Sequence, residues 1–225
     1  MKKITLYHGS DKKIEYPQYG KGKEYNDYGQ GFYCTEHFEL AKEWACTEGC
    51  DGFANQYELD ISKMNILNLS QKEYTVLHWL TILLEHRTFY VSSPIMKNGI
   101  TYLKEHFHIN TDSYDIIVGY RADDSYFSFA KAFINNTISL QQLSHAMKLG
   151  KLGEQYMLKS EKAFSEIKFI DAIAVNSEKY YAKRKQRDDA AREAFFKELE
   201  KESLDGLYMR DIIREGVKVD DSRLR

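Results

Sequence analysis

The sequence predicts a mixed α+β domain. Three observations predict it. Short stretches that alternate apolar and polar residues, or run wholly apolar, recur along the chain. Segments with helical spacing separate them. The length, 225 residues of which 43% are hydrophobic, suits one core with an appendage.

The first strand is KITLY (3–7), followed by a turn at His8–Ser10. Residues 11–30 are polar and Gly-rich and read as a mobile loop. GFYCT (31–35) is a second strand, and Thr35 is placed as N-cap of a helix over EHFELAKEWACTEG. Phe38, Ala41, Trp44 and Ala45 share one face of that helix, and Gly49 is placed to end it. NQYELDI (55–61) alternates, with Tyr57, Leu59 and Ile61 on one side. Residues 70–89 predict the most apolar helix, with Leu77, Leu80, Leu83 and Leu84 as its core stripe. YDIIVGY (114–120) has the unbroken apolar character of a strand buried on both faces. Helices over about 123–135 and 139–149 follow, then strands at 154–160 and 168–175. From Asn176 to about Lys201 the chain is helical and highly charged, and YMRDIIREG closes it. The shift in composition near 176 marks an extension of the same domain rather than a second one.

Charge and cysteine content narrow the function classes. Thirty-two basic residues against 34 acidic give a net charge of −2, which argues against a protein that coats nucleic acid, although a local basic patch stays open. Cys34, Cys46 and Cys50 are too few for a disulfide scaffold. The N-terminus lacks the apolar run of a signal peptide, and no stretch approaches the roughly 18 apolar residues of a membrane span. The expectation is a soluble cytoplasmic protein. Seventeen Tyr and 12 Phe suit either a small core or a cleft that grips a flat ligand.

No metal is expected. Cys46 and Cys50 have no second pair at zinc-site spacing, and His106 and His108 read as surface histidines on a strand or loop. Neither a phosphate-loop motif nor a nucleophile-elbow motif is present. The basic run KYYAKRKQR (179–187) leads straight into Asp188 and Asp189, as on a solvated helix face.

Three segments remain: LYHGS, DYGQGFYCTEHFELAKEWA and GEQYMLKSEKA. In order and spacing they resemble the ADP-ribosyltransferase superfamily, in its diphtheria-toxin and poly-ADP-ribose-polymerase branch of His-Tyr-Glu type. That branch has a strand ending in His-Gly, a Gly-x-Gly-x-Tyr strand running into a helix, and a late strand led by Glu. DYGQGFYCTE, YDIIVGYRADD, QYMLKSEKA and RDIIRE also resemble an uncharacterised bacterial family of that fold, often encoded beside a small partner in the manner of toxin–antitoxin pairs. The resemblance covers most of residues 4–216.

It implies a split two-sheet core around an NAD cleft over 1–175, with a helical insertion at about 62–112 and a charged helical extension over 176–225. The implied activity is NAD-dependent mono-ADP-ribosyl transfer to a macromolecule by a toxin or effector, with a small antitoxin-like protein as a partner. A non-enzymatic NAD-binding or interaction module and an NAD glycohydrolase are the alternatives. By the same resemblance, His8 hydrogen-bonds the adenosine ribose, Gly9 pairs its backbone with the nicotinamide carboxamide, and Tyr33 stacks on the nicotinamide ring. Ser10 and Gly31 complete the dinucleotide-binding set, and loop 18–30 folds over it. On spacing alone His8 reads rather as a turn histidine, which the downstream motifs reverse, and Tyr33 as a core residue opposite Phe32.

The chain departs from the pattern at Gln155, which stands where the branch has Glu. Its amide oxygen can accept from a ribose hydroxyl, but it offers no carboxylate. Glu154 is a possible acid/base only if a bulge turns it to the same face. Gly153 stands where the arginine-modifying branch has the first Glu of Glu-x-Glu, which makes arginine a less suitable acceptor. Arg121, Asp123 and Asp124 follow a buried strand. Arg121 is placed to clamp a pyrophosphate or to recognise the acceptor, and Asp123 to act as a supplementary acid/base, unless the group simply caps the next helix. Glu215 reads as a surface helix charge.

Overall fold

The strands fall into two small sheets joined at a single point. The computed structural model describes residues 2–122, 124–149, 153–200 and 205–224. Strands β1 (Lys3–Ser10), β3 (Gly52–Asp60) and β7 (Ile167–Val175) form an antiparallel sheet in the order β1-β3-β7. Strands β2 (Phe32–Cys34), β6 (Glu154–Leu158), β5 (Ile116–Tyr120) and β4 (Ile66–Asn68) form the second, in the order β2-β6-β5-β4, with β4 parallel to β5. The Tyr7 N–H donates to the Thr35 carbonyl at 2.7 Å, and the Thr35 N–H returns the bond at 2.9 Å. This bridge couples the two sheets.

Strand alternation distributes the core into layers. Leu6, Tyr57 and Leu59 of the first sheet meet Cys34, Ile116, Val118 and Leu158 of the second in an apolar layer between the sheets. Ile117 and Met157 point the other way, into the largest cluster, built on α2 (Val76–His86), α3 (Pro94–His106), α4 (Asp124–Ile134), α5 (Leu140–Ala146) and α8 (Met209–Glu215). This is why β5 is apolar on consecutive residues: both of its faces are covered. Behind the first sheet, α1 (Phe38–Ala45) and α7 (Ser177–Leu199) pack Ala41, Ala45 and Tyr180 against Ala54 and Val175. Helix α7 is further tied down by Arg187, whose guanidinium donates to buried Glu43 at 2.5 Å.

Several elements differ from the sequence expectation. His8–Ser10 is not a turn: β1 stays paired with β3 as far as Ser10 and Phe53. Thr35 pairs with Tyr7 rather than capping the helix, whose N-cap is His37, although its hydroxyl accepts from the His37 N–H at 3.1 Å. Helix α1 ends at Ala45, and Gly49, at φ +69°, turns the chain between Thr47 and Cys50 instead. Residues 70–89 hold a helix only from Val76, where Thr75 and His78 make a capping box. The insertion at 62–112 contains β4 and α3 besides α2, and His106 closes α3 instead of lying on a strand or loop. The strand expected to reach residue 160 stops at Leu158, because Ser160 caps α6 (Glu161–Glu166). Among the described residues no helix is long and apolar enough to cross a membrane.

Gly9 is dictated by packing. A Cβ there would lie 2.1 Å from the Ala41 carbonyl oxygen and 2.6 Å from the Ala45 nitrogen, both backbone atoms of α1. Helix α1 can rest on β1 this closely only if position 9 has no side chain. Gly9→Ala is therefore expected to cost about 3 kcal/mol or to prevent folding, measured by chemical denaturation.

Candidate functional site

A cleft of about 1100 Å³ opens beside the junction of β1 and β2. After the Tyr7–Thr35 bridge the two strands part, and His8 reaches across the gap. Its Nδ1 lies 2.6 Å from the Tyr33 carbonyl oxygen. A carbonyl can only accept, so Nδ1 carries the proton, and in the neutral ring Nε2 is the acceptor. The ring stacks on Phe32 at 4.4 Å between centroids. Burial pushes the His8 pKa below its ordinary 6.5; the bond to Tyr33 opposes this, and the charge of Arg121 adds to it.

Tyr33 lines the cleft with its hydroxyl already engaged. The phenol donates to the Gly29 carbonyl at 2.6 Å and accepts from the Tyr28 N–H at 3.0 Å. Burial raises its pKa far above the ordinary 10.0. The ring is thus fixed as a wall and the hydroxyl is not available as an acid. Phe32 lines the cleft as well, so adjacent strand residues border it from both sides of β2.

The long loop after β1 has no regular structure, but it is tethered rather than loose. Buried Asn55 accepts from the Ile14 N–H at 2.9 Å and donates to the Lys12 carbonyl at 3.1 Å, while the Tyr57 hydroxyl donates to the Ile14 carbonyl. Gln30 donates to the carbonyls of Gly20 and Gly22, both at 2.9 Å. The loop supplies much of one wall, including Lys12, Lys21, Lys23 and Asp27.

Gln155 sits at the base of the cleft, 2% exposed. Its Nε2 donates to Asp27 Oδ2 at 2.9 Å and to the Tyr120 carbonyl at 3.2 Å. Glu154 is turned away: β5 and β6 pair without a bulge from Tyr120–Glu154 onward, and Glu154 accepts from the Ser70 hydroxyl outside the cleft. The acid/base role proposed for it has no geometry to support it. Arg121 does line the cleft, its guanidinium 3.3 Å over the Trp44 ring.

His8, Ser10, Gly31, Tyr33, Arg121 and Gln155 are therefore brought to one cleft. Gly9 is not among its lining residues, and its missing side chain answers to α1 rather than to a ligand. Asp123 lies outside the described residues. Glu215 pairs with Arg214 and Arg223 on the surface. His108 pairs with Glu85, and among the described residues no cluster of His, Cys, Asp or Glu is arranged to hold a metal ion.

Three lining residues were given no role by the sequence analysis. Asp27 heads the DYGQGFYCTE segment but was not singled out within it, Arg87 follows the apolar helix α2, and Arg184 sits in the charged run taken as a solvated face. With them the described lining has six Lys and Arg side chains against Asp11 and Asp27. A nearly neutral chain thus concentrates positive charge around one concavity, which favours an anionic ligand.

A mixed α+β protein with a basic cleft at the junction of two sheets is the class this geometry defines. The chain belongs to the family described as Protein of unknown function (DUF3990), whose model matches residues 4–169. No curated protein and no solved structure matches it.

Two outcomes follow from the site's hydrogen bonds. The His8 ring is expected to titrate below 6.5 by NMR, because the unfolded chain takes up the proton more readily than the folded one. By linkage, its contribution to stability is complete above about pH 6.5 and declines as the pH falls from there towards the folded-state value. Tyr33→Phe leaves the Gly29 carbonyl and Tyr28 N–H without their partner and is expected to cost about 1–2 kcal/mol by denaturant unfolding.

Proposed function

We propose that the cleft binds NAD and that the protein is a mono-ADP-ribosyltransferase acting on a macromolecular acceptor. The observation that carries this reading is the convergence of His8, Tyr33 and Gln155, from three separate strands, on one basic cleft. A dinucleotide needs a cationic wall for its pyrophosphate, and Arg121 offers a planar fork suited to it. The neutral His8 Nε2 accepts from a ribose hydroxyl of the adenosine half. The fixed Tyr33 ring provides a face for the nicotinamide, and the Gln155 amide oxygen accepts from the 2′-hydroxyl of the other ribose.

In the reaction the bond between ribose C1′ and the nicotinamide nitrogen breaks. Nicotinamide leaves with the bonding electron pair, C1′ passes through an oxocarbenium-like state, and the acceptor's lone pair closes on it as the acceptor loses its proton. The protein's contribution is to hold the sugar, exclude competing orientations and place negative potential near the developing cation. Neither Tyr33 nor Gln155 is set to activate an acceptor hydroxyl: Tyr33 is committed to Gly29, and Gln155 is not a base. Single transfer to an acceptor that carries its own base fits this better than chain elongation.

The carboxamide at 155 also favours a second reading, a non-catalytic NAD-binding module. Nicotinamide release from NAD, with and without bacterial lysate, separates the possibilities. Transfer predicts release that depends on lysate and falls by about a hundredfold in Tyr33→Ala. Release in buffer alone identifies a glycohydrolase, and binding without release identifies the module.

A further inference from the structure

We infer that Asp27 acts through Gln155 as the negative element of the site, so that the two side chains together do the work of one carboxylate towards the bound ribose. This rests on the NAD reading above and deepens it. Asp27 is 6% exposed, an expensive position for a carboxylate unless its oxygens are used. Its partners among the described residues are all donors: Oδ2 accepts from Gln155 Nε2 at 2.9 Å and from the Ala122 N–H at 2.8 Å, and Oδ1 faces the Arg87 guanidinium at 3.4 Å.

These contacts orient Gln155 without ambiguity. Both partners of Nε2, Asp27 Oδ2 and the Tyr120 carbonyl, can only accept, so the amide nitrogen must occupy that end. The carbonyl is itself held by the Tyr28 hydroxyl at 2.6 Å and the Trp79 indole N–H at 3.1 Å. The amide oxygen is left as the free end of a residue that lines the cleft, and among the described residues no group donates to it. A carboxylate drawing on the N–H shifts amide electron density towards that oxygen, which strengthens it as an acceptor. The ribose hydroxyl keeps its proton, and the sugar's developing positive charge meets a polarised oxygen with a full negative charge one amide behind it. Asp27 is thus a positioning residue that touches no substrate.

The decisive experiment exchanges the two groups. Nicotinamide release in the presence of bacterial lysate and thermal unfolding are measured for the wild type, Asp27→Asn, Gln155→Glu and the double variant Asp27→Asn with Gln155→Glu. Asp27→Asn keeps the shape but loses the charge, and is expected to lower kcat about tenfold or more with KM for NAD changed by less than about threefold. Gln155→Glu sets two carboxyls against each other that must share a proton, so its melting temperature relative to wild type falls as the pH rises from about 5 to about 8, and release drops. The double variant removes the conflict between two carboxyls and is expected to recover the flat pH dependence of the melting temperature, while release stays below wild type because the Tyr120 carbonyl and the Ala122 N–H lose complementary partners. Wild-type kcat in Asp27→Asn, or a double variant that keeps the pH-dependent melting of Gln155→Glu, overturns the inference while leaving the NAD reading intact. A wild-type protein that neither binds nor cleaves NAD overturns both.

Discussion

The Tyr7–Thr35 bridge is the constraint on which the rest depends. Two backbone hydrogen bonds, at 2.7 and 2.9 Å, join strands that belong to different sheets. One residue further along β1, the imidazole of His8 spans the gap to the Tyr33 carbonyl; beyond it the strands separate and the cleft begins. The sheets need the bridge to close an apolar layer of Leu6, Tyr57, Ile116 and Leu158, and the cleft needs the strands to part. Both demands are met on one strand: Gly9 lets α1 lie directly on β1, and β1 stays paired with β3 as far as Ser10. Stability and site are in this way two consequences of one strand pair.

Around that junction the polar groups are largely spoken for. The Tyr33 hydroxyl, the Asn55 amide and the nitrogen of Gln155 all hold backbone or loop atoms in place, and each thereby loses freedom to do chemistry of its own. Facing the cleft are the second nitrogen of His8, the ring of Tyr33 and the amide oxygen of Gln155, within a wall that carries Lys and Arg side chains. Acceptors and a flat apolar face within a basic wall suit a dinucleotide better than a hydrophobic ligand. They also explain how Gln can stand at position 155. With Asp27 hydrogen-bonded to its nitrogen, a second carboxylate there would be in direct conflict.

Much of this was legible in the sequence, and the part that was not has a common cause. Strands β3 and β5 announce themselves because a period of two, or an unbroken apolar run, reflects which faces are covered. His8, Tyr33 and Gln155 were singled out because the segments around them resemble a known pattern, and the fold brings the three to one cleft. Strand β4 has only three residues, and its parallel pairing with β5 is decided by tertiary packing rather than local pattern. The contacts of Asp27 were invisible for the same reason: Arg87 is 60 residues from it and Gln155 is 128, although Asp27 itself heads a segment that the sequence analysis used. Glu154 illustrates the opposite case, where the alternation of a strand correctly turned a chemically attractive carboxylate away from the cleft.

The central claim is that NAD occupies the cleft against His8 and Gln155, and a titration followed by NMR tests it most directly. Adding NAD to labelled protein is predicted to shift the His8 ring and Gln155 side-chain amide signals together and saturably, while the exposed Cys50, which does not line the cleft, stays still. If NAD leaves both of the first two signals unmoved at millimolar concentration, about the weakest binding of interest, the cleft is not a dinucleotide site and the account fails.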